Sequence, residues 1–380
     1  MRSYRSRLGV VAVSMLGLAG AALAEDAAAG QAGAAKPAVP ELSDILDASG
    51  ITLTGYVDGS FAYQSNDTTK KDYNSFALQQ ASFTLAKQPT SGFGALVQVI
   101  AGQSPYAATG VGSVPAGLGA TATNFYLLQA FAQYVSGPLT LQVGKMNTLA
   151  GAEVAQVVSN TNTTRSILFA FEPVTHTGVR ASYAASDTVS LMIGVNNGWT
   201  NSQDTADASD KTVEAGISFT PSKALVWTLQ GYYGRDTNNY GVKGNIGLLD
   251  TVLTWNATSA LSVVGSVDYG TAQSTSSSSS AWWWGAAGYV NFAINELWRV
   301  SLRGEYFDDS DGYLTRNFDP VTLTGGVSQK LKEVTVTFGY DPSKNFELRV
   351  EGRYDDPDKI AGVQVVPKTY QGWLEAMYKF

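Results

Sequence analysis

Phe346-Glu347-Leu348-Arg349-Val350-Glu351-Gly352-Arg353-Tyr354 alternates without interruption, apolar or small residues at even numbers and charges at odd ones. A period of two marks a β-strand whose two faces meet different surroundings. The pattern recurs upstream, where Trp298, Val300, Leu302, Gly304 and Tyr306 alternate with Arg299, Ser301, Arg303 and Glu305. It recurs at the carboxyl end, where Tyr370, Gly372, Leu374, Ala376, Tyr378 and Phe380 alternate with Gln371, Trp373, Glu375, Met377 and Lys379. It also opens the alternating region, with Leu53, Gly55, Val57, Gly59 and Phe61 set against Thr52, Thr54, Tyr56, Asp58 and Ser60. In a soluble β-protein these apolar faces would have to fill a core, and so many small residues and glycines would fill it poorly. In a barrel that crosses a membrane they face lipid, and the charged faces line the interior.

Composition agrees with the second arrangement. Only 15% of the 380 residues are charged, well under the about 25% of ordinary soluble domains. Hydrophobic content is nevertheless 44%, an average that conceals one face in lipid and one in water. With no cysteine, the chain is not a disulfide-stapled secreted domain. A net charge of −7 without a basic stripe argues against a nucleic-acid partner.

The connections carry the topology. Alternation places strands near 51–64, 76–87, 93–103, 123–135, 139–147, 176–184, 189–199 and 211–220. Further strands fall near 225–234, 246–257, 261–270, 282–293, 297–307, 331–341, 345–354 and 370–380. Short links such as Ser136-Gly137-Pro138, Ala185-Ser186-Asp187, Thr258-Ser259-Ala260 and Pro342-Ser343-Lys344 alternate with long ones such as 104–122, 148–175, 200–210, 308–330 and 355–369. Short periplasmic turns opposite long extracellular loops define an all-β, antiparallel, up-and-down transmembrane barrel of about sixteen strands, fourteen and eighteen being the alternatives. Aromatics close several of these strands (Tyr233, Tyr269, Tyr306 and Tyr354), where an interfacial girdle would lie. Trp282-Trp283-Trp284 is expected to anchor at the outer interface.

The two ends give the address. Arg2, Arg5 and Arg7 precede an uncharged apolar run, Leu8 to Leu23, that ends in Ala22-Leu23-Ala24. Residues 1–24 read as a secretory signal peptide, and 25–49 as a flexible periplasmic leader with a short helical turn at Leu42, Ile45 and Leu46. The barrel then occupies 50–380. Tyr378 and Phe380, closing an alternating strand, resemble the signal by which the outer-membrane assembly machinery recognises its clients. The protein is therefore expected in the bacterial outer membrane, with lipid and that machinery as partners.

Inward-facing charges are the candidate pore lining: Asp58, Arg180, Glu214, Asp268, Arg299, Arg303, Glu305, Glu347, Arg349, Glu351, Arg353 and Glu375. A charge facing hydrocarbon costs about 2–4 kcal/mol near the midplane, so alternation assigns these to the lumen. The four arginines at 299, 303, 349 and 353 would form a basic ladder along one wall, interleaved with glutamates that neutralise it. His176, the single histidine, has no nucleophile motif around it and reads as structural, so no enzyme activity is expected. Asp308-Asp309-Ser310-Asp311-Gly312 and Asp355-Asp356-Pro357-Asp358 lack calcium-loop spacing and read as solvated turns; neither a metal centre nor a cofactor is expected.

The most distinctive stretch runs from Gly144 to Tyr183: Gly144-Lys145, Gly151-Ala152-Glu153, Thr164-Arg165-Ser166, then Pro173-Val174-Thr175-His176-Thr177-Gly178-Val179. It resembles the signature of the OmpL-like family of outer-membrane β-barrel porins, with Thr164 where serine is usual. The resemblance covers about forty residues closely and the rest diffusely; it implies a barrel and a pore but names no solute. The stretch links the fifth and sixth strands, where trimeric general porins fold a loop inward. Ala152 to Val158 is expected as a short helix there. Glu153 and Arg165 then become constriction candidates, either setting a field across the channel or forming an ion pair that pins the loop to the wall. The function expected is passive diffusion of small hydrophilic solutes or ions through a pore narrowed by this loop, in a monomer or homotrimer. The alternative is a non-conducting barrel that binds partners through its extracellular loops.

Overall fold

A computed structural model of the chain describes residues 46, 48–65, 73–102, 124–199, 211–237, 243–274, 280–314, 328–358 and 368–380. The signal and leader segments lie outside these residues, apart from Leu46, Ala48 and Ser49, which are helical where the short turn is expected. Loop 104–122 and residues 315–327 lie outside them too.

Sixteen antiparallel strands close into one barrel in which every strand neighbours its sequence neighbours and the last pairs with the first. They are β1 (Thr52–Gln64), β2 (Tyr73–Lys87), β3 (Gly92–Gly102), β4 (Asn124–Ser136), β5 (Leu139–Asn147) and β6 (Thr175–Ala184). Then come β7 (Val189–Asn196), β8 (Thr212–Ser222), β9 (Leu225–Thr237), β10 (Lys243–Asn256) and β11 (Leu261–Ser274). The last five are β12 (Ser280–Ala293), β13 (Trp298–Asp309), β14 (Gln329–Ser343), β15 (Phe346–Asp355) and β16 (Thr369–Lys379). Several strands extend beyond the apolar alternation, β9 to Thr237 and β11 to Ser274, because antiparallel pairing continues in polar residues after the lipid-facing pattern ends.

Closure satisfies the edges. Tyr56 pairs with Lys379 and Gln64 with Gln371, and Gly55 and Phe380 exchange main-chain hydrogen bonds of 2.9 and 3.0 Å. No open edge is left in hydrocarbon, where an unpaired amide would go unsatisfied. No helix among the described residues is long and apolar enough to cross a membrane; the crossing elements are strands.

The two faces separate as the alternation requires. Along β16, Tyr370, Leu374 and Tyr378 are exposed outward while Trp373, Glu375 and Met377 are buried inward. Stacked or tilted rings mark both rims: Tyr354 with Tyr370 and Trp284 with Tyr306 on the long-loop side, Trp298 with Tyr340 and Phe93 with Tyr134 on the short-turn side. These are the two interfacial girdles of an outer-membrane barrel.

Apart from irregularities beside two of the short turns, simple alternation fails at two mid-strand bulges, which shape the lumen. An extra residue in β2 (Gln79) and another in β4 (Leu128) interrupt the registers with β1 and β3. Each bulge reverses the parity of its strand, so Phe76 and Leu78 face out on one side of it and Phe83 and Leu85 on the other. Consecutive side chains, Gln79 with Gln80 and Leu128 with Gln129, thereby turn toward the interior.

Candidate functional site

Residues 148–174, between β5 and β6, cross the barrel interior and reach the walls opposite. The expected helix at Ala152–Val158 does not form. Asn160 instead receives the Val154 amide at 3.0 Å and donates to the carbonyls of Val154 and Gln156, so helical hydrogen bonds are replaced by side-chain ones. Gln80 holds the next turn, donating to Ala155 O at 2.9 Å and accepting from Val157 N at 3.0 Å. A short 3-10 turn follows at Val157–Ser159, and the α-helix, α1, lies at Ile167–Phe171. Ser166 caps it by accepting from Phe169 N.

The loop is bound to β13–β16 by the charges that alternation places inward. Arg303 is fully buried, with Glu153 at 2.8 Å, Glu333 at 3.0 Å and Glu305 at 3.1 Å, and it donates to Thr164 O at 2.7 Å. Glu351 accepts from the amides of Thr163 and Thr164, and Glu305 from those of Ile167 and Leu168. Arg349 pairs with Glu347 at 2.7 Å and Glu375 at 3.3 Å, Arg299 also pairs with Glu347, and Arg353 pairs with Asp355 at 2.7 Å. Arg299 and Arg353 also donate to Thr161 O and Arg165 O of the loop. The ladder of arginines is thus interleaved with carboxylates and covered by loop backbone. Across the barrel, Arg180 pairs with Glu214 at 2.9 Å. Asp58 is buried, and among the described residues neither of its oxygens has a hydrogen-bond partner.

Glu153 is brought to Arg303, on the wall, rather than to Arg165. Arg165 donates to Ala155 O at 2.8 Å and lies over the Phe169 ring. Both are buried in the joint between loop and wall. An apolar seam completes the joint: Ile167 and Leu168 pack among Trp283, Phe307, Tyr313 and Leu331. Trp283 therefore does not anchor at the lipid interface; its neighbours Trp282 and Trp284 face out, and it stacks on Tyr313 inside. Asp309 likewise does not form a solvated turn, since it is buried and accepts from the amides of Tyr313 and Leu314. His176 is buried and stacked on Tyr232 at 5.1 Å, and among the described residues no serine or carboxylate hydrogen-bonds its ring.

Open space remains on the other side of the loop. A cavity of about 440 Å³ is bounded by Thr54, Thr84, Gln98, Gln129, Asn147 and Gln156, among others. Its amides form a connected set: Gln129 and Gln156 both donate to Gln98 Oε1, at 2.9 and 2.8 Å, and Asn147 N donates to Gln129 Oε1 at 3.1 Å. Reading charges alone misses this lining. Its signal in the sequence is inward-phased glutamine, obscured by the two bulges.

Gly151 shapes the other flank of the loop. Its φ is +81°, and a Cβ there would meet the Glu172 carboxylate. Burial and the nearby Asp250 charge push the Glu172 carboxyl well above its usual range. Gly151→Ala is expected to lower stability by about 1–3 kcal/mol from backbone strain alone. Urea unfolding in detergent micelles checks this; a wild-type midpoint would show that the loop does not depend on that conformation.

A family model described as "Putative beta-barrel porin-2, OmpL-like" matches residues 50–380. No curated protein matches the sequence significantly. Among solved structures, an anion-selective porin from Comamonas acidovorans superposes with a TM-score of 0.63 at 10% identity, covering 87% of this chain and 99% of that one. The outer-membrane channel DcaP of Acinetobacter baumannii gives 0.59 at 14% identity, covering 87% and 97%. The trimer form of OmpT from Vibrio cholerae gives 0.59 at 10% identity, covering 87% and 99%. At such identities the likeness is one of fold. With a closed sixteen-stranded barrel, outward aromatic girdles and a family match over the whole barrel, the chain belongs to the OmpL-like porin-2 family of the bacterial outer membrane.

Proposed function

We propose that the protein is a passive channel for small hydrophilic solutes, with the 148–174 loop as its constriction and an amide-lined passage beside it. The observation that carries this reading is the asymmetry of the lumen. The charged wall is consumed in binding the loop, while the cavity beside the loop is lined by Gln98, Gln129, Asn147 and Gln156. Amides donate and accept without fixing a sign of charge, so such a passage favours neutral polar solutes and discriminates weakly between ions. The secretory signal at 1–24, recognition of Tyr378 and Phe380 by the assembly machinery, and assembly as a homotrimer belong to the same proposal. Trimer formation is supported by analogy with the OmpT form above. Tyr378 and Phe380 are both exposed on the outer face, where a recognition surface would have to be.

Liposome swelling with uncharged sugars of graded size tests the reading. Small sugars are expected to enter quickly and larger ones progressively more slowly; no swelling with the smallest would favour a barrel acting through its external loops. Lys379, on the cavity lining, is paired with Glu347 at 2.6 Å, so one added unpaired charge should dominate the selectivity of the passage. Gln129→Lys is expected to shift the reversal potential in a salt gradient toward anions and Gln129→Glu toward cations, by several-fold in permeability ratio. Identical reversal potentials in both variants would place the ion path elsewhere.

A further inference from the structure

Three carboxylates converge where the far end of the loop meets the barrel wall. Asp250 of β10 and Asp268 of β11 stand directly opposite each other in register, and Glu172, just after α1, joins them from the loop. One oxygen from each side chain lies within 4.8 Å of the others, and all three residues are buried. Like charges facing across an antiparallel pair repel, and burial strengthens that repulsion. Elsewhere in this lumen most buried carboxylates have an arginine partner or loop amides. Here, among the described residues, no arginine or lysine pairs with any of the three. Both oxygens of Asp250, Oδ1 of Asp268 and Oε2 of Glu172 have no hydrogen-bond partner. The Gly151 main chain approaches Asp250 without a hydrogen bond of ordinary geometry.

Three buried carboxylates with unpartnered oxygens are stabilised by a small cation that takes those oxygens as ligands. Oxygen donors that are all carboxylates suit a hard divalent cation. Ca²⁺ accepts irregular oxygen sets at about 2.3–2.6 Å, whereas Mg²⁺ demands a near-ideal octahedron at about 2.0–2.1 Å. Three carboxylates fixed by two neighbouring strands and a loop suit the more tolerant ion. The three ligands are far apart in sequence, which is why no motif announces them.

We infer that Glu172, Asp250 and Asp268 form a divalent-cation site, with Ca²⁺ the preferred ion, that clamps the carboxyl-terminal end of the constriction loop to β10 and β11. The ion neutralises most of the charge of the cluster and ties the loop to β10 and β11, two to three strands along the wall from the Arg303 network on β13. The site does not depend on whether the barrel conducts, and neither does its test.

The experiment uses mature protein refolded in a zwitterionic detergent and stripped with EGTA. Equilibrium dialysis with ⁴⁵Ca²⁺ is expected to find one ion per barrel lost in the isosteric double variant D250N/D268N and in E172Q. Thermal unfolding is expected to show a higher midpoint on adding Ca²⁺ to the wild type, a smaller rise with Mg²⁺, and no Ca²⁺ response in either variant. Because these substitutions remove like-charge repulsion, the variants should fold at least as well as the stripped wild type. A wild-type midpoint indifferent to Ca²⁺, with no bound ion, would overturn the site and leave the carboxylates sharing protons. Retention of the ion by both variants would also overturn it, placing binding at the acidic external turns.

Discussion

Arg303→Ala is expected to destabilise the barrel by about 3–5 kcal/mol, the range found when one partner of a buried ion cluster is removed. The reason lies in what remains. Glu153, Glu305 and Glu333 all lose their common counter-charge, and Thr164 O loses its donor, in a region closed to water. Urea unfolding in micelles measures the effect. Lys332→Ala is the internal control: its pair with Asp358 is 2.7 Å long but nearly half exposed on both sides, so its loss should change stability by less than about 1 kcal/mol. In bilayers, Arg303→Ala should also raise open-channel noise, since the loop then loses the most highly connected of its contacts with β13–β16. Equal effects of the two substitutions would mean that the loop is not secured by the Arg303 cluster.

Leu374→Arg is the second large effect. Leu374 sits in mid-strand on β16, exposed outward, in register with Phe61 on one side and Val350 on the other. A guanidinium there faces the hydrocarbon, and the cost is about 2–4 kcal/mol near the bilayer midplane. Folding into lipid vesicles, followed by the mobility shift of folded barrels on unheated gels, should show the loss. Gln98→Arg, on the lumen side of β3, should fold close to normally, because its surroundings are polar and the cavity beside it can hold water. If the lumen substitution were as damaging as the lipid-facing one, the assignment of faces would be reversed.

How much of this was legible in the chain follows from what each residue's neighbours are. Strand number and direction were legible because lipid on one face and polar lumen on the other impose a strict period of two, as in Phe346–Tyr354. Inward charges were legible for the same reason, and the twelve named residues all lie on the barrel's inner face, Arg299 being half-buried and the others buried. Their partners were not legible: Glu153 meets Arg303 across a separation in sequence that only barrel closure bridges. The conformation of the loop was hidden because Asn160 and Gln80, not local propensity, satisfy its backbone. Asp250 was hidden by context, since inward Ile246, Leu248 and Val252 pack on other lumen side chains and make both faces of β10 look apolar. Trp283 misled for the converse reason, being an aromatic in a girdle sequence that points inside and supports α1. Bulges at Gln79 and Leu128 shifted the glutamine lining out of phase with any fixed alternation.

Single-channel recording of the refolded mature protein in a planar bilayer shows whether the barrel is an open aqueous channel. Discrete conductance steps that scale with bulk salt conductivity are expected, with a reversal potential close to zero in a salt gradient. Repeated stable insertion with no conductance would contradict the channel reading, and would assign the function of the barrel to its extracellular loops.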